Sequence, residues 1–132
     1  MADNSTAFLQ ELAAFLKVDA LPRTPEGAVE LSAGPDHPMF LFPEDAQTLM
    51  VVCPMMPLPN DLDAASTLWL LRQNFYDSPL APFRIGADPG GNLVSWGRLP
   101  VQDLTPAELA GVLDALAKRA DLVRSELATG KD

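Results

Sequence analysis

Apolar residues recur along the chain with two alternating periods. From Thr6 to Val18 they fall at Phe8, Leu12, Phe15 and Leu16, with Leu9 widening the stripe. This spacing predicts a helix over 6–18 capped by Thr6 and ended before Pro22 and Pro25. Between Ala28 and Cys53 the pattern breaks into three short apolar runs, Ala28–Leu31, Met39–Phe42 and Thr48–Cys53. The turn residues Gly34-Pro35-Asp36-His37-Pro38 and Pro43-Glu44-Asp45 separate them. Three antiparallel strands follow from this, the third marked by Val51 and Val52. The three prolines of Pro54–Pro59 predict a connector.

A second helix is expected from a cap at Asn60 or Asp61 to about Tyr76. Leu62, Ala65, Leu68, Trp69, Leu71 and Phe75 keep helical spacing, and Leu70 widens the stripe. A helix apolar over so much of its circumference needs burial on more than one side, as at a subunit interface. Phe83–Ala87 and Asn92–Gly97 then read as a hairpin turning at Asp88-Pro89-Gly90-Gly91, with Pro89 second and Gly90 third, at positive φ. Thr105 and Glu108 have capping-box spacing around Pro106. The closing helix carries one stripe through Leu109, Val112, Leu113, Leu116, Ala120, Val123 and Leu127, with Asp114, Lys118, Asp121, Arg124 and Ser125 mostly off it. The order α-β-β-β-α-β-β-α defines a single α+β domain over 1–132, an antiparallel sheet flanked by helices, with residues 1–5 and 129–132 expected to be flexible.

Composition narrows the function. With 132 residues and 48% hydrophobic content, the chain has material for one sizeable core. Its net charge of −9 and pI near 4.3 disfavour nucleic acid and favour basic or neutral partners. One cysteine precludes an internal disulfide framework and fits a reducing compartment. The start of the chain lacks the basic flank of a signal peptide, and no apolar run reaches the roughly 18 residues of a membrane span, so the expectation is a cytoplasmic protein without membrane insertion.

Candidate chemistry is sparse. His37 and Cys53 are the only imidazole and thiol, so a Cys–His nucleophile pair is formally open. Neither sits in a local signature, and a turn histidine with a small apolar strand residue is the plainer reading. Asp61 and Asp63 lack the glycine and distal glutamate of a calcium loop, and one His with one Cys cannot close a zinc site. Gly90-Gly91 is too short for a phosphate loop. No catalytic residue, metal or cofactor is therefore expected. Binding features carry more weight. Met39, Met50, Met55 and Met56 cluster among the strands, where thioethers fill cores or form adaptable apolar surfaces. Trp69 and Trp96 carry the same ambiguity, and the outer strands offer sheet edges to an extended peptide.

In this order, the leucine-rich helix ending Leu70-Leu71-Arg72-Gln73-Asn74-Phe75, the turn Asp88-Pro89-Gly90-Gly91-Asn92, the step Leu99-Pro100 and the helix opened by Thr105 and Glu108 resemble the class I type III secretion chaperones of the Tir-chaperone family. The resemblance covers nearly the whole chain. It implies a cytoplasmic homodimer of a Gram-negative bacterium that binds the N-terminal segment of a secreted effector, keeps it soluble and delivers it to the export apparatus, with the secretion ATPase as a further partner. It implies effector contact at Phe8, Leu12, Phe15, Met39, Leu41 and Met50, and a dimer interface at Leu68, Leu71, Phe75 and Phe83. The proline-rich turn before Met39 departs from the family pattern. The alternative is an adaptor module of the same fold without a secreted client.

Overall fold

The structure is a computed structural model describing residues 4–19, 21–25, 27–32, 37–75, 83–102 and 104–129. Its elements follow the expected order: α1 (Asn4–Phe15), β1 (Val29–Ser32), β2 (Pro38–Asp45), β3 (Thr48–Pro57), α2 (Ala64–Arg72), β4 (Arg84–Ala87), β5 (Asn92–Pro100) and α3 (Pro106–Thr129). The strands form one five-stranded sheet in the order β1-β2-β3-β5-β4, antiparallel throughout.

Strand alternation divides the sheet into two faces. Leu49, Val51, Cys53 and Met55 of β3 are buried, as are Met39 and Leu41 of β2 and Ile85, Leu93 and Ser95 across β4 and β5. They join Phe8, Leu9 and Leu12 of α1 and Leu109, Leu116, Ala120, Val123 and Leu127 of α3 in a single core. The stripe read from the sequence of α3 is thus its buried face, with Val112 and Leu113 half-buried. Its capping box forms as expected: the Glu108 backbone N–H donates to Thr105 Oγ1 at 3.1 Å, and the Thr105 N–H donates to Glu108 Oε1 at 3.0 Å.

Several boundaries differ from the sequence reading. Helix α1 begins at Asn4, so Thr6 lies inside it rather than capping it. Ser5 is buried there, its hydroxyl donating to the Asp45 carbonyl at 2.7 Å. The rest of the termini expected to be flexible, residues 1–3 and 130–132, lies outside the described residues. The helix stops at Phe15 rather than Val18. Lys17 takes a left-handed φ of 60°, and its N–H and that of Val18 donate to Ala14 and Ala13, a closed C-terminal cap.

The expected connector at Pro54–Pro59 is strand as far as Pro57. Beyond Val52 the β2–β3 ladder has ended, while pairing with β5 continues to Pro57 through a bulge between Pro54 and Met56. Prolines are tolerated on a strand paired along one side only. Similarly, Pro43, Glu44 and Asp45 extend β2, and the turn lies at Ala46-Gln47. Helix α2 is shorter than expected, and its cap is Asp63, whose carboxylate accepts from the Ser66 N–H at 2.7 Å, rather than Asn60 or Asp61. In the β4–β5 turn the positive φ belongs to Gly91 (84°), not Gly90. The Gly91 N–H donates to the Asp88 carbonyl and the Asp88 N–H to the Asn92 carbonyl, a three-residue loop whose last residue is left-handed.

Two glycines should respond oppositely to alanine. A Cβ on buried Gly97 would lie 2.6 Å from the Phe83 ring, whereas one on Gly111 in α3 meets nothing within 4 Å. Gly97→Ala should destabilise the fold by about 1–3 kcal/mol. Gly111→Ala should stabilise it by about 0.5–1 kcal/mol. Chemical denaturation midpoints check both.

Candidate protein-binding surfaces

The first surface lies on α2. Leu70 faces the core, but Leu68 (47% exposed), Leu71 (62%) and Phe75 (57%) stand open to solvent. Leu68 and Leu71, three residues apart, share one side of the helix, and Phe75 stands in the turn beyond its end at Arg72. The excess apolar width of this helix therefore divides cleanly, one side to the core and one outward. Of the residues expected at a dimer interface, Leu68, Leu71 and Phe75 are exposed, whereas Phe83 is not. It is 4% exposed and packs against Gly97, facing inward in step with Ile85 two residues on.

The second surface lies where α1 ends. Phe15 (50% exposed), Leu16 and Val18 protrude there. Phe15 and Leu16 line a shallow cavity of about 200 Å³ together with Leu12, Leu31 of β1, and Ala110 and Leu113 of α3. An adjoining hollow runs past Val18, Leu21 and Pro22 to Pro38. Of the residues expected at effector contact, Phe8, Leu12, Met39 and Leu41 are 0–3% exposed and belong to the core. The helical stripe and the strand alternation mark the face that packs inward, and the sequence reading assigned that face to the client. Phe15 reaches solvent because the same stripe outruns its packing partners. Leu16 and Val18 were missed, although Leu16 stood in the predicted stripe.

The third surface is the sheet face opposite α1 and α3. Glu30, Phe40, Val52, Trp96 and Arg84 align in register across all five strands, with Phe42, Met50 and Arg98 in a neighbouring row. Their aromatic and aliphatic side chains are half-buried, packed beside one another rather than under a helix. Met50, the remaining expected effector contact, sits here. The Arg98 guanidinium carbon lies over the Trp96 ring, 5.5 Å from its centroid, and Arg98 Nε donates to Glu44 Oε2 at 2.6 Å. The strand methionines divide: Met39 and Met55 are core, while Met50 and Met56 are half-buried.

The sheet edges, expected to be open, are partly covered by the chain's own groups. Pro22–Thr24 folds back along β1: the Glu30 N–H donates to the Pro22 carbonyl at 3.0 Å and the Thr24 N–H to the Ala28 carbonyl at 2.8 Å. Arg124 Nε donates to the Met55 carbonyl of β3 at 2.7 Å. On β4 the Asn74 side chain bonds both backbone groups of Ile85. Of the stiff turn before Met39, residues 33–36 lie outside the described residues. His37 Nε2 is 3.0 Å from Asp121 on α3.

His37 is thus engaged with α3, and the state of the thiol disfavours the Cys–His pair. The Cys53 thiol is fully buried, donates weakly to the Pro54 carbonyl and is pushed up to about 11 by burial, with Arg124 opposing the shift. Asp63, held below the usual carboxylate range by the Ser66 N–H, is occupied as a helix cap. Among the described residues there is no group of three or more His, Cys, Asp or Glu placed to hold a metal, and no helix long and apolar enough to cross a membrane.

Exposed or half-buried apolar side chains thus gather at three places on this fold. The Tir chaperone protein (CesT) family model matches residues 7–124. The chain belongs to this family. Solved structures share the fold. A chain in the Yersinia pestis type III secretion chaperone SycH, crystallised with a stable fragment of YscM2, is 22% identical with a TM-score of 0.71, over 89% of this chain and 97% of that one. A chain of the ExoU–SpcU complex from the type III secretion system of Pseudomonas aeruginosa is 22% identical with a TM-score of 0.73, over 89% and 95%. A chain of the HopA1–SchA chaperone–effector complex is 15% identical with a TM-score of 0.70, over 92% and 94%. No curated protein matches the sequence significantly.

The buried thiol gives a pH signature. Its pKa is raised from 9.0 to about 11, so between these values the native chain holds a proton that the unfolded chain releases. The stabilisation is fully present below about pH 9 and is lost as pH rises towards 11. Cys53→Ala should flatten this loss in denaturation curves across that window. At neutral pH the native thiol should resist a maleimide that labels the unfolded chain.

Proposed function

We propose that this protein is a type III secretion chaperone. It binds the N-terminal segment of an effector in the bacterial cytoplasm, keeps the segment soluble and unfolded, and presents the complex to the export machinery, including its ATPase. It works as a homodimer joined through the outward row of α2, Leu68, Leu71 and Phe75. The client lies in extended form across the hollow at Phe15, Leu16 and Val18 and on towards the open sheet face at Met50 and Trp96.

Family membership over most of the chain supports the role, and the exposed apolar residues support the places. Large side chains left open in rows mark contact surfaces rather than scattered exposure. At about 25 cal/mol per Å² of apolar burial, an extended segment must cover a long path before burial exceeds the cost of ordering it. Shallow hollows running from the end of α1 past the β1 edge offer such a path towards the open sheet face, where a single deep pocket would not. The net charge of −9 favours a basic or neutral client segment.

Two paired substitutions separate the surfaces. Leu71→Asp with Phe75→Asp should convert a particle of about twice 14.2 kDa to a monomer by light scattering. Phe15→Asp with Leu16→Asp should leave the dimer intact but abolish co-purification of an effector identified by co-expressing the wild-type protein with the product of the adjacent gene. A wild-type protein that is monomeric at micromolar concentration, or an effector that co-purifies equally with all variants, would overturn these assignments.

A further inference from the structure

The structure assigns Asn74 a positioning role at the α2 surface; this inference rests on the dimer reading above. Asn74 follows the C-cap Gln73 in a turn where the N–H groups of Asn74 and Phe75 donate to the Leu71 and Arg72 carbonyls at 3.0 and 3.2 Å. Its side chain reaches the outermost strand of the sheet. Nδ2 donates to the Ile85 carbonyl at 2.9 Å, and the Ile85 N–H donates to Oδ1 at 2.6 Å. A carboxamide carries donor and acceptor in one plane, as a peptide group does, so Asn74 stands on β4 as a strand one residue long. Alanine supplies neither group, and aspartate supplies only the acceptor.

This clamp acts where α2 is least secured. The helix has nine residues, and Leu70 is its only buried one. Gln73 adds one link, accepting from Arg119 of α3 at 2.8 Å. Asn74 lies between Leu71 and Phe75, two of the three outward apolar residues, and fixes the turn that joins the helix end carrying Leu71 to Phe75. A contact surface held rigid before association loses less freedom on binding. The same two bonds close the β4 edge at Ile85 to a foreign strand. Asn74 thereby directs association to the side chains of α2 and away from strand pairing.

The test compares Asn74→Ala and Asn74→Asp with Val29→Ala, a core truncation at the opposite edge of the sheet. Asn74→Asp keeps the size of the side chain and the acceptor for the Ile85 N–H, so it retains the fold. Both Asn74 variants should raise the dimer dissociation constant about tenfold or more by analytical ultracentrifugation. They should also speed hydrogen exchange of the Ile85 amide. Val29→Ala should lose thermal stability yet keep its dissociation constant within about twofold of wild type. A wild-type dimer that Asn74→Asp leaves equally tight would overturn the positioning role alone. A monomeric wild type would overturn the dimer reading and this inference with it. Equal weakening by Val29→Ala would reduce Asn74 to a general stability residue and overturn the inference.

Discussion

The two-residue period of β3 is the constraint on which the other surfaces depend. Leu49, Val51, Cys53 and Met55 all point to one side and are buried under α1 and α3. A shift of one residue in its pairing with β5 would expose this set and bury Met50, Val52 and Pro54 instead. The register is held from Thr48↔Pro100 to Pro57↔Asn92, the longest ladder in the sheet, and the bulge at Pro54 absorbs the one irregularity. With that register fixed, α1 and α3 have one face on which to pack. The apolar side chains of the other face, and those exposed at the end of α1, stay outside this core.

Closure of the edges is the second consequence. A five-stranded sheet with one open apolar face would be at risk of edge-to-edge association. Here the chain answers with its own groups: a proline-led return along β1, a guanidinium on the free end of β3 and a carboxamide on β4. Each takes backbone groups that a partner strand would use. Recognition is thereby shifted from main-chain hydrogen bonds, which any sequence supplies, to side-chain burial, which selects for apolar residues at suitable intervals.

Much of the fold was legible because each element carried its own local signal. The capping box at Thr105 and Glu108, the turn at Asp88 and the period of α3 need only residues within a few positions of one another. The site residues were harder, for a physical reason. Periodicity identifies the face that is apolar, and in a small domain that face is buried first, so Phe8, Leu12, Met39 and Leu41 were assigned to a client when they form the core. The surface residues are those in excess of the pattern: Leu68, Leu71 and Phe75 on a helix too widely apolar, and Leu16 and Val18 past the end of α1. The α2 row was readable as excess. The role of Asn74 was not, since its partner Ile85 lies 11 residues on and the bond is visible only once α2 and β4 are placed.

The contrast between the two outward surfaces bears on how the proposed chaperone could hold a client without folding it. The α2 row is rigid, clamped at its end, and suited to a fixed partner of matching shape such as a second copy. The surface at Phe15, Leu16 and Val18 is different in kind. It stands on a helix end turned by a left-handed lysine, over hollows that are shallow and open. Shallow hollows accept apolar side chains of several shapes without demanding a particular backbone geometry, and the β1 edge, taken up at Glu30 by the Pro22–Thr24 return, gives the client fewer main-chain partners to order it. Affinity must then accumulate from many modest contacts along an extended segment, doubled by symmetry if the protein is a dimer. A complex assembled in this way can be taken apart from one end, one contact at a time, as release of an unfolded client requires.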